Sequence, residues 1–168
     1  MRVLRSDVEL TGEISRRVEG KRTVFCGVGN DLRGDDGVGL RVARDLSVQG
    51  LDVGVSVIIC GELPENYLQD IVDLDPECVV FLDAANVGEP PGTIMIIESR
   101  EIDGHTISTH RLPLSFLSRI IESRLNHVVD TFILGIQIGS CGFGEEMTEE
   151  AAGSSERLSS VLSHILSS

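Results

Sequence analysis

Lysine is almost missing from this chain. Lys21 is the only one, and the other thirteen of the 14 basic residues are arginine. No lysine follows position 21, so the phosphate loop G-x-x-x-x-G-K followed by Ser or Thr has no place here. Cysteine is sparse as well. Cys26, Cys60, Cys78 and Cys141 form no C-x-x-C pair, which excludes a zinc knuckle and a dithiol redox motif. Cys26 and Cys78 fall in or beside apolar runs, where cysteine acts as a small hydrophobe, and a reducing cytoplasm is the expected location. Long apolar runs are absent, so no membrane span is expected. The first twenty residues are charged throughout and lack the apolar stretch of a signal peptide. Positive charge is in deficit: 27 acidic residues against 14 basic give a net charge of −13. That balance argues against nucleic acid and against anionic membranes as partners.

What remains is an ordinary globular composition, 41% hydrophobic and 24% charged over 168 residues, enough for one domain with a real core. Residues 1–20 read as an N-terminal extension. Leu4, Val8 and Val18 give it a weak helical period that Gly12 interrupts. A single α/β domain is expected over 21–168. There, apolar strand-length runs at 23–29, 53–60, 78–83, 93–98 and within 128–138 alternate with helical patterns. Val38, Val42 and Leu46 mark one helix. Pro64 opens the next, with Leu68, Ile71 and Val72 on its buried side. Pro113 opens another, carrying Leu114, Leu117, Ile120 and Ile121. The last carries Leu158, Val161, Leu162 and Ile165. This alternation predicts a three-layer α/β sandwich: a mostly parallel twisted sheet of about five strands with helices on both faces. The Gly- and Glu-rich stretch 139–150 reads as a surface loop.

The chemistry concentrates in one stretch, Cys26-Gly27-Val28-Gly29-Asn30-Asp31-Leu32-Arg33-Gly34-Asp35-Asp36-Gly37-Val38-Gly39. A strand runs into a glycine-rich loop, and two carboxylates stand where a helix begins. A phosphate-binding loop would exclude carboxylates there, so this one suits a cation. Sites in open parallel sheets lie beyond the carboxyl ends of strands, where strand order reverses. Asp36 follows one strand and Asp83 closes another, and a flavodoxin-like order makes these strands neighbours. His110, in the loop before Pro113, is the third candidate, with His105 as a nearby competitor. Two carboxylates and an imidazole suit a divalent transition metal such as nickel, zinc or iron. The plain readings are helix capping for Asp35 and Asp36, a strand-end turn for Asp83 and a surface loop for His110. Two adjacent acids leave one beyond what a cap needs, and Asp83, after four apolar residues, needs a partner if buried.

Two other folds fail. The dinucleotide fingerprint fits at Gly27 and Gly29, but its third glycine, Gly34, comes two positions late. A phosphoacceptor receiver domain shares the acid pair and the strand-ending Asp, but needs a lysine after its fifth strand, and this chain has none there.

The loop from Gly27 to Gly39 resembles the opening signature of the hydrogenase maturation proteases, endopeptidases that remove a C-terminal extension from nickel–iron hydrogenase large subunits. Gly61-Glu62-Leu63-Pro64-Glu65-Asn66 is similar to the second segment of the hydrogenase-3 (formate hydrogenlyase) type. Phe81-Leu82-Asp83-Ala84-Ala85, Pro91-Gly92-Thr93-Ile94, Thr109-His110-Arg111-Leu112-Pro113-Leu114 and Leu134-Gly135-Ile136-Gln137 with Gly142-Phe143 continue the resemblance in order. It implies that Asp36, Asp83 and His110 are both the catalytic and the metal-binding residues. It also implies that nickel arrives with the large-subunit precursor. Asp36 is then the ligand and Asp35 the helix cap. The metal would orient the scissile peptide, and either metal-activated water or a carboxylate base would attack it. The alternative is a non-catalytic nickel-binding scaffold for hydrogenase assembly. One departure stands out. Where the family often has Asp-Gly-Gly after its second strand, this chain has Ile59-Cys60-Gly61, and Cys60 is either a packing residue or a soft ligand. Gly27, Gly29, Gly34, Gly37 and Gly39 would either admit the precursor backbone or serve sheet-to-helix geometry.

Overall fold

A computed structural model describes residues 1–101 and 113–167. The chain opens with a short strand, β1 (Arg2–Leu4), and a helix, α1 (Asp7–Val18). β2 (Thr23–Val28) follows, then a 3-10 turn at Gly34–Gly37 that leads into α2 (Val38–Ser47). Next come β3 (Val55–Gly61), a 3-10 turn at Pro64–Tyr67, α3 (Leu68–Asp73), β4 (Cys78–Ala85) and β5 (Ile94–Glu98). α4 (Leu114–Arg124), β6 (Asp130–Gln137) and α5 (Glu149–Leu166) complete the chain.

The six strands form one sheet in the order β1-β5-β6-β4-β2-β3. The β2–β3, β2–β4 and β4–β6 pairs are parallel, while β5 runs antiparallel to both β6 and β1. The five strands expected from the sequence are present; β1, pairing Arg2–Leu4 with Ile94–Ile96, adds the sixth.

Alternation along the strands divides the core in two. Phe25, Val80, Leu82, Phe132 and Leu134 face α1, α2 and α5, whose Leu10, Ile14, Val42, Leu46, Leu158 and Leu162 cover them. Val24, Cys26, Val79, Phe81 and Ile133 face α3 and α4, which contribute Ile71, Leu114, Leu117 and Ile121. Phe25, Phe81 and Phe132 are fully buried. Each contributes on the order of 2–3 kcal/mol of hydrophobic stabilisation.

α1 runs straight through Gly12. Ser6 caps it by accepting from the Glu9 N–H, and Leu10, Ile14 and Val18, four residues apart, line its buried face. Val8, named in the sequence-based helix, points outward. Arg17 then fastens α1 to the sheet. Its guanidinium donates to Glu98 on β5 at 2.6 and 2.9 Å and to Asp130 on β6 at 2.9 Å, and it lies 3.8 Å over the Phe132 ring.

Candidate active site

β2 has β3 on one side and β4 on the other, so strand order reverses between β2 and β4. The β2–β4 ladder stops at Gly27 opposite Leu82. Asp83 is therefore the first β4 residue past the last rung. Its far side is still paired, opposite Gly135 of β6. Beyond the end of β2 the chain turns through residues 29–33 into the Gly34–Gly37 turn, which packs onto β4. The structure thus brings the turn bearing Asp36 against the strand bearing Asp83, and both carboxylates are nearly buried, each 3% exposed. The Asp83 Oδ1 accepts from the Ala84 N–H at 2.8 Å, and the Asp36 carbonyl accepts from the Asn30 N–H at 3.2 Å. His110 and its competitor His105 lie outside the described residues. Among the described residues, no three His, Cys, Asp or Glu side chains are grouped to hold a metal.

Two glycines make the close approach of turn and strand possible. A Cβ on Gly39 would land on the Leu82 carbonyl oxygen and come within 2.5 Å of that of Val28. The first turn of α2 therefore seats directly on the ends of β2 and β4. Gly29 has φ +138° and would drive a Cβ into the Asp36 carbonyl. Both glycines serve contacts within the chain, which is the sheet-to-helix role.

Asn30 shapes the loop twice over. Its Oδ1 accepts from the Leu32 N–H at 2.8 Å, an Asx turn, and its Nδ2 donates to Glu62 beyond β3 at 2.8 Å. Arg44 on α2 donates to both Asp31 oxygens, at 3.0 and 2.5 Å, and that carboxylate raises the guanidinium pKa further.

Asp35 differs from its expected role. It makes no helix-cap bond. The side chain is fully buried and reaches across to the loop after β6. Its Oδ2 accepts from the N–H groups of Gly139 at 2.7 Å and Ser140 at 3.1 Å, and its Oδ1 from that of Thr148 at 2.7 Å. The Thr148 hydroxyl lies 3.0 and 2.9 Å from its two oxygens and also caps α5. The correction has a physical reason: a carboxylate buried at this point satisfies four tertiary donors, three N–H groups and the Thr148 hydroxyl, whereas a cap would satisfy only its own turn. Backbone bonds reinforce the junction, from Gly34 to Glu145 at 3.1 Å and from Asp35 to Ser140 at 2.9 Å.

Gln137 has a function that its place in the C-terminal signature did not reveal. Its buried side chain accepts from the Val87 N–H at 2.9 Å and donates to Asn86 at 3.2 Å, ordering the chain that leaves β4 just past Asp83. Cys60 lies in the core cluster with Cys26. The Cys26 thiol pKa is pushed up, first by its contact with the Cys60 thiol and then by burial. Those surroundings favour the packing role for Cys60.

The architecture defines a doubly wound α/β protein with two nearly buried aspartates beside its switch point. The hydrogenase maturation protease model of the HycI type matches residues 40–165. The hydrogenase 3 maturation protease of Escherichia coli is 34% identical over 127 residues, covering 75% of this chain and 79% of that protein. The crystal structure of a NiFe hydrogenase maturation protease HycI from Thermococcus kodakarensis superposes with a TM-score of 0.85. It is 36% identical and covers 93% of this chain and 99% of that one. A crystal structure of the hydrogenase 3 maturation protease gives a TM-score of 0.72 at 30% identity, covering 82% and 86%. The chain belongs to the hydrogenase maturation protease family, as a HycI-type endopeptidase, a hydrolase of peptide bonds that processes the C-terminus of a hydrogenase large subunit.

Proposed function

We propose that the protein removes the C-terminal extension of a nickel-loaded nickel–iron hydrogenase large-subunit precursor, and that Asp36, Asp83 and His110 bind the nickel the precursor carries. The observation that supports this most is the pair of nearly buried aspartates, Asp83 near the carboxyl end of β4 and Asp36 in the turn that follows the adjacent β2 and packs on β4, at the reversal of strand order. Oxygen ligands from Asp36 and Asp83 and a nitrogen from His110 suit a borderline divalent metal and leave coordination positions for the precursor's own ligands. Nickel is here part of the substrate. Coordination fixes the precursor's tail relative to the protease, so that orientation supplies much of the rate. A water oxygen then adds to the scissile carbonyl carbon, the C–N bond breaks and the departing amine takes a proton. A nickel-free precursor offers these three side chains nothing to bind, which gives the reaction its order: metal insertion first, cleavage second.

The cytoplasm is the proposed site of action. All four cysteines are free thiols, which suits a reducing compartment, and no described helix is long and apolar enough to cross a membrane. Neither nucleic acid nor a membrane surface is a proposed partner, in keeping with the charge of −13.

The test is one incubation of purified protein with nickel-loaded and with nickel-free precursor, read by mass spectrometry for loss of the tail. Cleavage of the loaded form alone is the expected result. Equal cleavage of both would remove nickel from the recognition step. Nickel-dependent binding with no tail released would restore the scaffold reading.

A further inference from the structure

Aromatic side chains are scarce here, five phenylalanines and one tyrosine. Phe25, Phe81 and Phe132 are fully buried and Phe116 on α4 is half exposed, whereas Phe143 is 76% exposed. The loop that carries Phe143 is firmly held. Asp35 clamps it at Gly139, Ser140 and Thr148, Gly34 binds the Glu145 carbonyl, and the Gly144 N–H donates to the Leu32 carbonyl at 2.7 Å. Within the loop, the Glu145 carboxylate accepts from the Ser140 hydroxyl and from the Gly142 N–H. With the loop backbone fixed, docking the ring costs only the rotamer freedom of its side chain.

The ring does not stand alone. The Gly144–Leu32 bond sets it beside Leu32, itself 60% exposed. Leu32 in turn lines a shallow groove of about 420 Å³ with Asp31, Arg44, Ile59, Glu62 and Tyr67. A mixed strip thus runs from Phe143 across Leu32 to Ile59, its exposed apolar residues interleaved with Asp31, Arg44 and Glu62, at the carboxyl end of the sheet. Beside the ring, Glu145 and Glu146 are exposed.

We infer that this strip is a docking surface for the hydrogenase large-subunit precursor, with Phe143 as its anchor and a specificity-determining contact. The inference rests on the proposed reading of the Asp36–Asp83 edge as the one that faces the precursor. The surface commits its partner to a stated chemistry: an apolar recess that takes the ring, rimmed by arginine or lysine to meet Glu145 and Glu146. Metal coordination reports whether nickel is present; the strip reports which large subunit carries it.

Steady-state processing of nickel-loaded precursor tests this, with Phe143→Ala, Leu32→Ala and Glu146→Gln beside the wild type. Phe143→Ala should raise KM on the order of tenfold to thirtyfold with kcat unchanged, the loss typical of a truncated interface anchor. Leu32→Ala should move KM the same way, and it keeps the test alive if Phe143→Ala misfolds. Wild-type KM should rise with added salt, and Glu146→Gln should flatten that rise. If the wild type releases no tail, the active-site reading fails. If it cleaves normally and Phe143→Ala and Leu32→Ala keep the wild-type KM, the docking surface is overturned. A fall in kcat at unchanged KM would overturn it too, because the ring would then be ordering the site and not holding the partner.

Discussion

Asp35→Asn isolates the clamp between the acidic turn and the loop after β6. The change preserves size and removes one acceptor oxygen. In the native junction Oδ2 serves the Gly139 and Ser140 N–H groups, and Oδ1 serves Thr148. If the amide keeps its oxygen toward Gly139 and Ser140, its NH2 points at the Thr148 N–H, donor against donor. Turned over, it strands two N–H groups. At least one buried donor loses its acceptor in either pose, at about 1–3 kcal/mol, and the surviving bonds lose their charge assistance, about 1 kcal/mol more. The expected destabilisation is about 2–4 kcal/mol. With a urea slope of about 2 kcal/mol/M for a protein of this size, the unfolding midpoint should fall by about 1–2 M. Asp35→Ala leaves the three N–H groups and the Thr148 hydroxyl without this acceptor and should fall further. Hydrogen exchange should localise the loss, with the amides of Gly139, Ser140 and Thr148 deprotected ahead of the core strands. A midpoint for Asp35→Asn within about 0.3 M of wild type would refute the clamp.

The site and fold give three more expectations. Asp36→Ala and Asp83→Ala should each abolish tail removal while leaving circular dichroism and cooperative unfolding in place; normal cleavage by either variant would sink its assignment. Gly39→Ala should destabilise by about 3 kcal/mol or more, because the new methyl meets backbone carbonyls of Val28 and Leu82 that cannot yield; a near-neutral thermal melt would show that α2 can lift off the strand ends. The His127–Asp75 pair should produce a pH window in stability. The ring lies 2.9 Å from the carboxylate, which raises the His127 pKa above 6.5 and lowers that of Asp75 below 3.8. The raised histidine stabilises fully below 6.5 and loses this as pH climbs through its folded value. The lowered aspartate stabilises above 3.8 and loses this as pH drops through its own. The melting difference between wild type and His127→Ala should therefore be greatest near pH 5 and disappear in alkaline buffer; the same difference at every pH would count against the pair.

Five of the six strands were legible from local apolar runs, and so was the contact between the turn bearing Asp36 and the strand bearing Asp83, because parallel topology makes β2 and β4 neighbours. The role of Asp35 was not. Its donors lie 104 to 113 residues away, and a local reading offers an acid at a helix start only the bonds of its own turn. β1 escaped notice because three residues are too few to show alternation. The helix through Gly12 was legible only in part: Val18 lies on its buried face, but Leu10 and Ile14 complete that face and Val8 points outward, and tertiary packing outweighs the cost of one glycine of about 1 kcal/mol. Gln137 was visible as a motif member, but its work on residues 86 and 87 depends on β4 and β6 lying side by side.

β1 also decides what the sheet shows to the rest of the cell. Without it, β5 would be an open border strand with the run Ile94-Met95-Ile96-Ile97, apolar and uncharged, its backbone ready to template another chain. Three residues covering Ile94–Ile96 replace that border with a much shorter one, with Arg2 on its outward side. Arg17 keeps the cover closed by tying the following helix to both neighbouring strands. A chain beginning at Lys21 would retain every residue of the proposed site yet bare β5 at the border farthest from β3, and light scattering should show it self-associating where the full chain does not.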